Sequence, residues 1–275
     1  MKETIKLLKK APPTAIFGMV VILIYVFVAI FAPFVAPFSE TEVVGDQFEP
    51  WGEQFILGTD NLGRDMWSRI VYGARNTVGI AIVTTAVAFL VGSFFGLLAA
   101  TLGGWVDQLL GRIVDVMMAI PTLIFSLLVL TIVGTSVINL VLVIGVLYST
   151  SVFRLARAVS MNVVVLDFVE VSKLRGEGLL YIIRHEILPN ILPPLVAEFG
   201  LRFCFVFLFI SALSFLGLGL QPPTADWGSM VKDNATLITF GDITPLVPAG
   251  AIALLTVAVN FVVDWFLHLT SGLKD

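Results

Sequence analysis

Six apolar stretches, each long enough to cross a bilayer as a helix, predict an all-α integral membrane protein with six transmembrane helices. Composition agrees: hydrophobic side chains make up 58% of the 275 residues and charged ones 13%, and mean hydropathy is +1.00. Ordinary soluble domains carry a much smaller apolar share.

A spanning helix needs about 20 mostly apolar residues. The stretches lie at about 14–37, 76–101, 112–133, 136–158, 190–216 and 246–269. The first follows a basic start, as a signal peptide would, but Ile16 to Phe34 is long enough to span and lacks a clear small-residue cleavage site, so it is expected to be retained. Pro33 and Pro37 close it. Gly92 and Gly96 put two small residues four apart on the second stretch, a pattern for close helix packing. Pro121 lies inside the third and predicts a kink, since proline lacks the N–H that a helix interior uses. Cys204 sits in the fifth and reads as a small buried hydrophobe.

Orientation follows from the cations, because short loops rich in Lys and Arg stay on the cytoplasmic side. With the N-terminus inside, the cytoplasmic set is Lys2, Lys6, Lys9, Lys10, Arg112, Arg154, Arg157, Lys173, Arg175, Arg184 and Lys274. The outside keeps Arg64, Arg69, Arg75 and Lys232, beside the acidic run Glu40, Glu42, Asp46, Glu49 and Glu53. Both termini are therefore expected in the cytoplasm. Residues 1–75 form a tail, the first helix and an outside loop; residues 76–275 form a five-helix core with a polar cytoplasmic loop at about 160–189. The outside segments, roughly 38–75 and 217–245, are too short for cores of their own and read as lids or docking surfaces.

Several function classes are excluded. A net charge of −4 leaves no basic face for nucleic acid. A single cysteine allows no internal disulfide, and His185 and His268 have no ligand-spaced companions, so no metal site is expected. No G-x-x-x-x-G-K-[ST] occurs, so energy from nucleotide would have to come from another subunit. No Ser-His-Asp set or HExxH points to an enzyme.

Charge returns in EVSKLRGEGLLYIIRHEILPNILPPL, Glu170 to Leu195. Asp167 can cap a short helix over Leu166 to Leu174, with Phe168, Val171 and Leu174 at three-residue spacing. Gly176 and Gly178 then stop it, and a second helix from Leu179 is expected to end at Pro189. A generic solvated loop between two spans would also carry such charges. On the outside, Asp60, Arg64, Asp65 and Arg69 lie at roughly helical spacing and can form a compact charged entry to the second span, or simply anchor a juxtamembrane helix. Pro222 and Pro223 stiffen the other outside segment, and Trp227 suits a half-wet interface.

Three segments resemble a known family. Glu170-Val171-Ser172, three residues, Gly176, nine residues, then Glu186-Ile187-Leu188-Pro189 resembles the EAA loop of permeases in ATP-binding cassette importers, with Val171 and Ser172 where that loop has two alanines and Glu186 in its isoleucine place. Leu57-Gly58-Thr59-Asp60, Gly63-Arg64-Asp65 and Ser68-Arg69 resemble the signature after the first span in the dipeptide, oligopeptide and nickel branch. Gln221-Pro222-Pro223-Thr224 with Trp227-Gly228 resembles that branch's second outside segment. The resemblance implies a MetI-like core of a type I importer permease with one extra N-terminal helix. It implies a non-catalytic subunit paired with a homologous second permease, two cytoplasmic ATPases that hold ATP and Mg2+, and a periplasmic or lipid-anchored substrate-binding protein, in a bacterial or archaeal cytoplasmic membrane. No cofactor is expected on this chain. The ATPase contact is assigned to Asp167, Glu170, Ser172, Gly176, Leu188 and Pro189, and gate or docking roles to Asp60, Arg64, Asp65, Arg69, Gln221, Pro222 and Trp227.

Glu198 and Arg202 stand four apart on the fifth stretch, deep enough that neither should face lipid. They read either as part of the substrate path or as a neutralised pair bracing the bundle. A stand-alone carrier or channel is the alternative to the importer subunit. The substrate, among dipeptides, longer peptides, nickel chelates, glutathione and opine-like compounds, is left open.

Overall fold

The computed structural model describes residues 11–271. Lys2, Lys6, Lys9, Lys10 and Lys274, which contribute to the expected orientation, lie outside the described residues. Among the described residues, five helices are long and apolar enough to cross a membrane: Pro13–Ile30, Met66–Leu102, Val137–Val164, Leu179–Phe215 and Leu246–Leu269. A bent pair, Gly104–Ala119 and Thr122–Val133, passes the same test together and makes a sixth if the two are one span. The described chain falls into two compact units, one holding the residues up to Ile82, Gly134–Val137 and those from Phe203 on, the other Val83–Val133 and Ile138–Arg202.

In the first unit, α1 (Pro13–Ile30) begins with proline at its first helical position, where a missing N–H costs nothing. It packs along α12 (Leu246–Ser271), with the bare Gly18 against the Ala258 carbonyl and the Tyr25 hydroxyl donating to the Ala251 carbonyl at 3.0 Å. Its other side leaves Leu23 and Ile30 exposed, as a lipid-facing helix requires. A short turn, α2 (Ala32–Val35), leads into a loop that folds back on itself through isolated bridges at Val43–Arg64 and Thr59–Asp65. Gly63 turns there at φ 72°, and a side chain on it would strike the Gly45 carbonyl. Helix α3 (Met66–Gly73) passes through a π-turn at Ala74–Val78 into α4 (Gly79–Leu102). Helix α11 (Trp227–Asn234) and a 3-10 turn at Ala235–Phe240 precede α12.

The second unit holds the later part of α4, α5 (Gly104–Ala119), α6 (Thr122–Val133), most of α7 (Val137–Val164), α8 (Asp167–Leu174), α9 (Leu179–Tyr181), a π-turn at Ile182–Ile187 and the first half of α10 (Leu188–Phe215). Gly92 and Gly96 let α4 lie against α7: added Cβ atoms would come within 2.5 Å of the Ser149 carbonyl and 2.8 Å of the Phe153 carbonyl.

Two expectations about proline are corrected. At Pro121 the chain does more than kink: Ile120 is extended (φ −90°, ψ 130°), as a residue before proline prefers, and α5 and α6 meet at 88°. The helix before Pro121 thus starts at Gly104 rather than near 112. At Pro189, conversely, the helix does not end, and Leu179–Phe215 runs on through Pro189, Pro193 and Pro194. The π-turn just before Pro189 widens the backbone where the ring would collide, and the Asn190 side-chain amide donates to the Glu186 carbonyl at 2.6 Å.

Candidate functional site

The polar segment after α7 folds into an arm made of α8, a glycine joint and α9. Asp167 is the first residue of α8 rather than its cap; Leu166 precedes the helix with no capping side chain, and the Asp167 and Glu170 carboxylates instead suit the positive end of the helix by charge. Gly176 takes φ 80°, with open space around its Cα, so a left-handed turn and not a close approach is what calls for glycine. Val169 and Ser172, three apart, form the inner face of α8. Val169 packs in a buried cluster with Val163, Ile182, Ile187 and Ile191, and the Ser172 hydroxyl donates to Glu186 Oε1 at 2.8 Å. Phe168, Val171 and Leu174, which recur at three-residue spacing, face outward, Leu174 being 81% exposed. Glu170 and Pro189 are exposed and Leu188 is half-buried. Near the joint Arg175 pairs with Glu177 at 2.9 Å, a hydrogen bond that raises the arginine above its ordinary pKa.

In the first unit the signature residues lie inside a lock. Asp60 accepts from Arg64 Nε at 2.7 Å and faces Arg69 Nε at 3.2 Å. Arg69 Nη1 donates to the Glu40 carbonyl at 2.8 Å. Asp65 caps α3, accepting from the Ser68 amide at 2.8 Å and its hydroxyl at 2.6 Å. Only Asp65 and Arg69 of this set belong to helical geometry; Asp60 and Arg64 meet through the loop's turn. All four are buried, and a buried charge cluster of this kind is tolerated only because each member is paired.

Residues that spacing did not single out tie this loop to the segment before α11. Glu40 Oε2 accepts from Asn76 Nδ2 at 2.9 Å and from the Ala225 amide at 2.7 Å. Asp226 accepts from the Thr77 hydroxyl at 3.0 Å and from the Ser229 amide at 2.9 Å, capping α11. Burial raises the Asp226 carboxyl above the usual range, against the lowering effect of those hydrogen bonds. Trp227 is a correction. Rather than lying half wet, it is buried, its indole donating to the Ile70 carbonyl at 3.0 Å and its ring edge-on to Tyr25 and Phe207. Gln221, Pro222 and Pro223 are exposed.

Glu198 and Arg202 pair as their spacing suggests, through both Nε and Nη2 of the arginine, and each side chain is about one-seventh exposed. The phenol of Tyr148, on α7, lies within the electrostatic reach of Arg202. Among the described residues no group of His, Cys, Asp and Glu is arranged to hold a metal ion.

Comparison with known proteins agrees with this anatomy. The sequence pattern of the family described as binding-protein-dependent transport system inner membrane component matches residues 92–271. That of the N-terminal TM domain of oligopeptide transport permease C matches residues 9–53. The di/tripeptide transport system permease protein DppC of Pseudomonas aeruginosa is 35% identical over 95% of this chain and 86% of its own length. The dipeptide transport system permease protein DppC of Haemophilus influenzae is 35% identical over 95% and 88%. The probable D,D-dipeptide transport system permease protein DdpC of Escherichia coli is 30% identical over 93% and 86%.

Proposed function

Because the chain belongs to the family of binding-protein-dependent transport system inner membrane components, we propose that it is the permease subunit of an ATP-driven importer of short peptides. The observation that carries this reading is the arm: a short helix packed on its inner face and unpaired on its apolar outer face, held at a glycine joint. Such a face suits a groove on a cytoplasmic ATPase. The arm then lies in the cytoplasm, with both chain termini on that side, and the interlocked loops of the first unit lie outside.

Mechanically, Glu170 and the outer face of α8 take the push when paired ATPases, which hold ATP and Mg2+, close on each other. The buried Val169 and the Ser172–Glu186 bond pass it to α7 and the Leu179–Phe215 helix, so the spans swing as stiff levers. Leu188 and Pro189 mark where the arm joins its long helix. This chain supplies lever and pore wall and does no bond chemistry. A homologous second permease supplies the other half of the path. A substrate-binding protein docks on the surface that Gln221 and Pro222 expose, above the Asp60–Arg64–Arg69 lock, with Asp65 and Trp227 fixing the helices beneath it. Peptide substrates follow from the relatives named above, and Glu198 with Arg202 offers charges of both signs to a zwitterion on the path.

Glu170→Arg and Gly176→Trp test the assignment in the complete importer reconstituted with its binding protein. Uptake is expected to fall by about tenfold or more, an effect of ~1.4 kcal/mol, while ATP hydrolysis and subunit assembly persist. Unchanged uptake per ATP in both variants removes the arm from the mechanism.

A further inference from the structure

Helix α5 carries two faces with different chemistry. Trp105, Leu109, Ile113 and Val116 recur at three- and four-residue spacing and are all exposed. Asp107, Gly111 and Asp115 form the opposite face, and by the helical period Arg112 stands on the border between the two. Between α5 and α7, within the second unit, is a cavity of about 520 Å³ lined by Asp107, Arg112, Asp115, Phe153, Arg154 and Arg157 among others.

The charges there are unevenly committed. Arg157 grips Asp107 with two nitrogens. Arg154 reaches Asp115 only at 4.0 Å, with both side chains more than half exposed, a separation that binds weakly in water. Arg112 is exposed and has no ion-pair partner among the described residues. Three guanidinium groups against two carboxylates leave one positive charge in a concave site, beside an apolar stripe that begins with a tryptophan.

From this arrangement we infer that the cleft between α5 and α7 is a binding site for an anionic phospholipid. Arg112 and Arg154 fork onto the phosphate oxygens, and the acyl chains lie along Trp105, Leu109, Ile113 and Val116. Guanidinium matches phosphate geometry with two parallel hydrogen bonds, and basic pockets between spanning helices select anionic headgroups. The indole of Trp105 marks the interface depth at which headgroup and chain part. Arg157 holds the cleft open as a strut and is not itself offered to the lipid.

The test is native mass spectrometry of the complete importer extracted in detergent, with phosphatidylglycerol and phosphatidylcholine of equal chain length added in turn. Phosphatidylglycerol is expected to be retained in preference, and Arg112→Gln to lower that retention about fivefold while Arg112→Lys keeps most of it. Arg154→Gln should act in the same direction. Equal retention of the two lipids, or no effect of Arg112→Gln, overturns the proposal. So does displacement of bound lipid by millimolar inorganic phosphate alone, which would mark a soluble anion's site. Cross-linking of a cysteine at position 112 to a partner subunit, with no lipid retained, overturns it in favour of a protein contact.

Discussion

At the scale of single residues, the lock in the first unit turns on a few buried polar atoms. Asp60 is the only carboxylate within ion-pairing distance of both Arg64 and Arg69 among the described residues, so Asp60→Ala strands two buried cations. Removing one side of a buried pair costs about 3–5 kcal/mol, and the variant should show a large drop in unfolding temperature of the detergent-solubilised protein. Asp226 makes a different prediction. Burial raises its folded-state pKa, so the folded protein holds that proton more tightly than the unfolded chain does. Its contribution is therefore most favourable below the ordinary carboxylate range and is lost as pH rises through the folded pKa. Asp226→Asn keeps a side-chain cap for the Ser229 amide and removes the ionisation. Thermal unfolding at acid and neutral pH should thus show the variant gaining on the native protein as pH rises; parallel curves would mean that Asp226 does not titrate in this way. Trp227→Ala opens a large hole between Tyr25 and Phe207 and should destabilise by about 3–5 kcal/mol.

At the scale of elements, glycine and proline decide where helices approach, break and continue. Gly92→Leu would drive side-chain atoms into the α7 backbone at Ser149 and Phe153 and into the Val152 side chain, forcing α4 and α7 apart. Loss of folded protein from the membrane fraction is the expected outcome, with Gly79→Ala as a control, because open space surrounds that position. Hydropathy made the spans legible, since a bilayer imposes length and composition on any helix that crosses it. It could not say how prolines would resolve. Pro121 and Pro189 look alike as letters, yet one follows an extended Ile120 and the other a π-turn whose formation depends on neighbours packed around Ile182 and Ile187. Which face of α8 packs was not legible for a related reason. Val169 and Ser172 are buried by α7 and the long helix that follows the joint, and spacing alone cannot tell a stripe that packs within the chain from one left for a partner. Likewise Glu40 and Ala225 are 185 residues apart, and only the fold brings them to 2.7 Å. The signature residues were found because their pattern is dense, while Glu40, Asn76 and Thr77 have no pattern of their own.

At the scale of the whole molecule, the composition of the surface argues for an assembly. Much of the apolar surface is where lipid is expected, but α8 ends in a segment with charged Lys173 and Arg175 around an exposed Leu174, a place outside any of the long apolar helices. Exposed leucine among charges is poorly served by water and by lipid alike, and a protein groove serves both kinds of side chain. The sequence holds no G-x-x-x-x-G-K-[ST] run, and under the proposed division of labour closed vesicles containing this chain alone should accumulate no peptide, with or without ATP. Vesicles with the second permease, both ATPases and the binding protein should accumulate it only when ATP is supplied on the side of the arm. Leu174→Asp should then separate the two halves of the proposal: it removes apolar contact with the ATPase while leaving the inward face of α8 untouched. Affinity purification through this chain is expected to recover the second permease at its normal ratio and the ATPases at a ratio reduced by about tenfold. Recovery of both at normal ratios would place the motor's grip somewhere other than α8, and peptide accumulation by the chain alone would dispense with the motor.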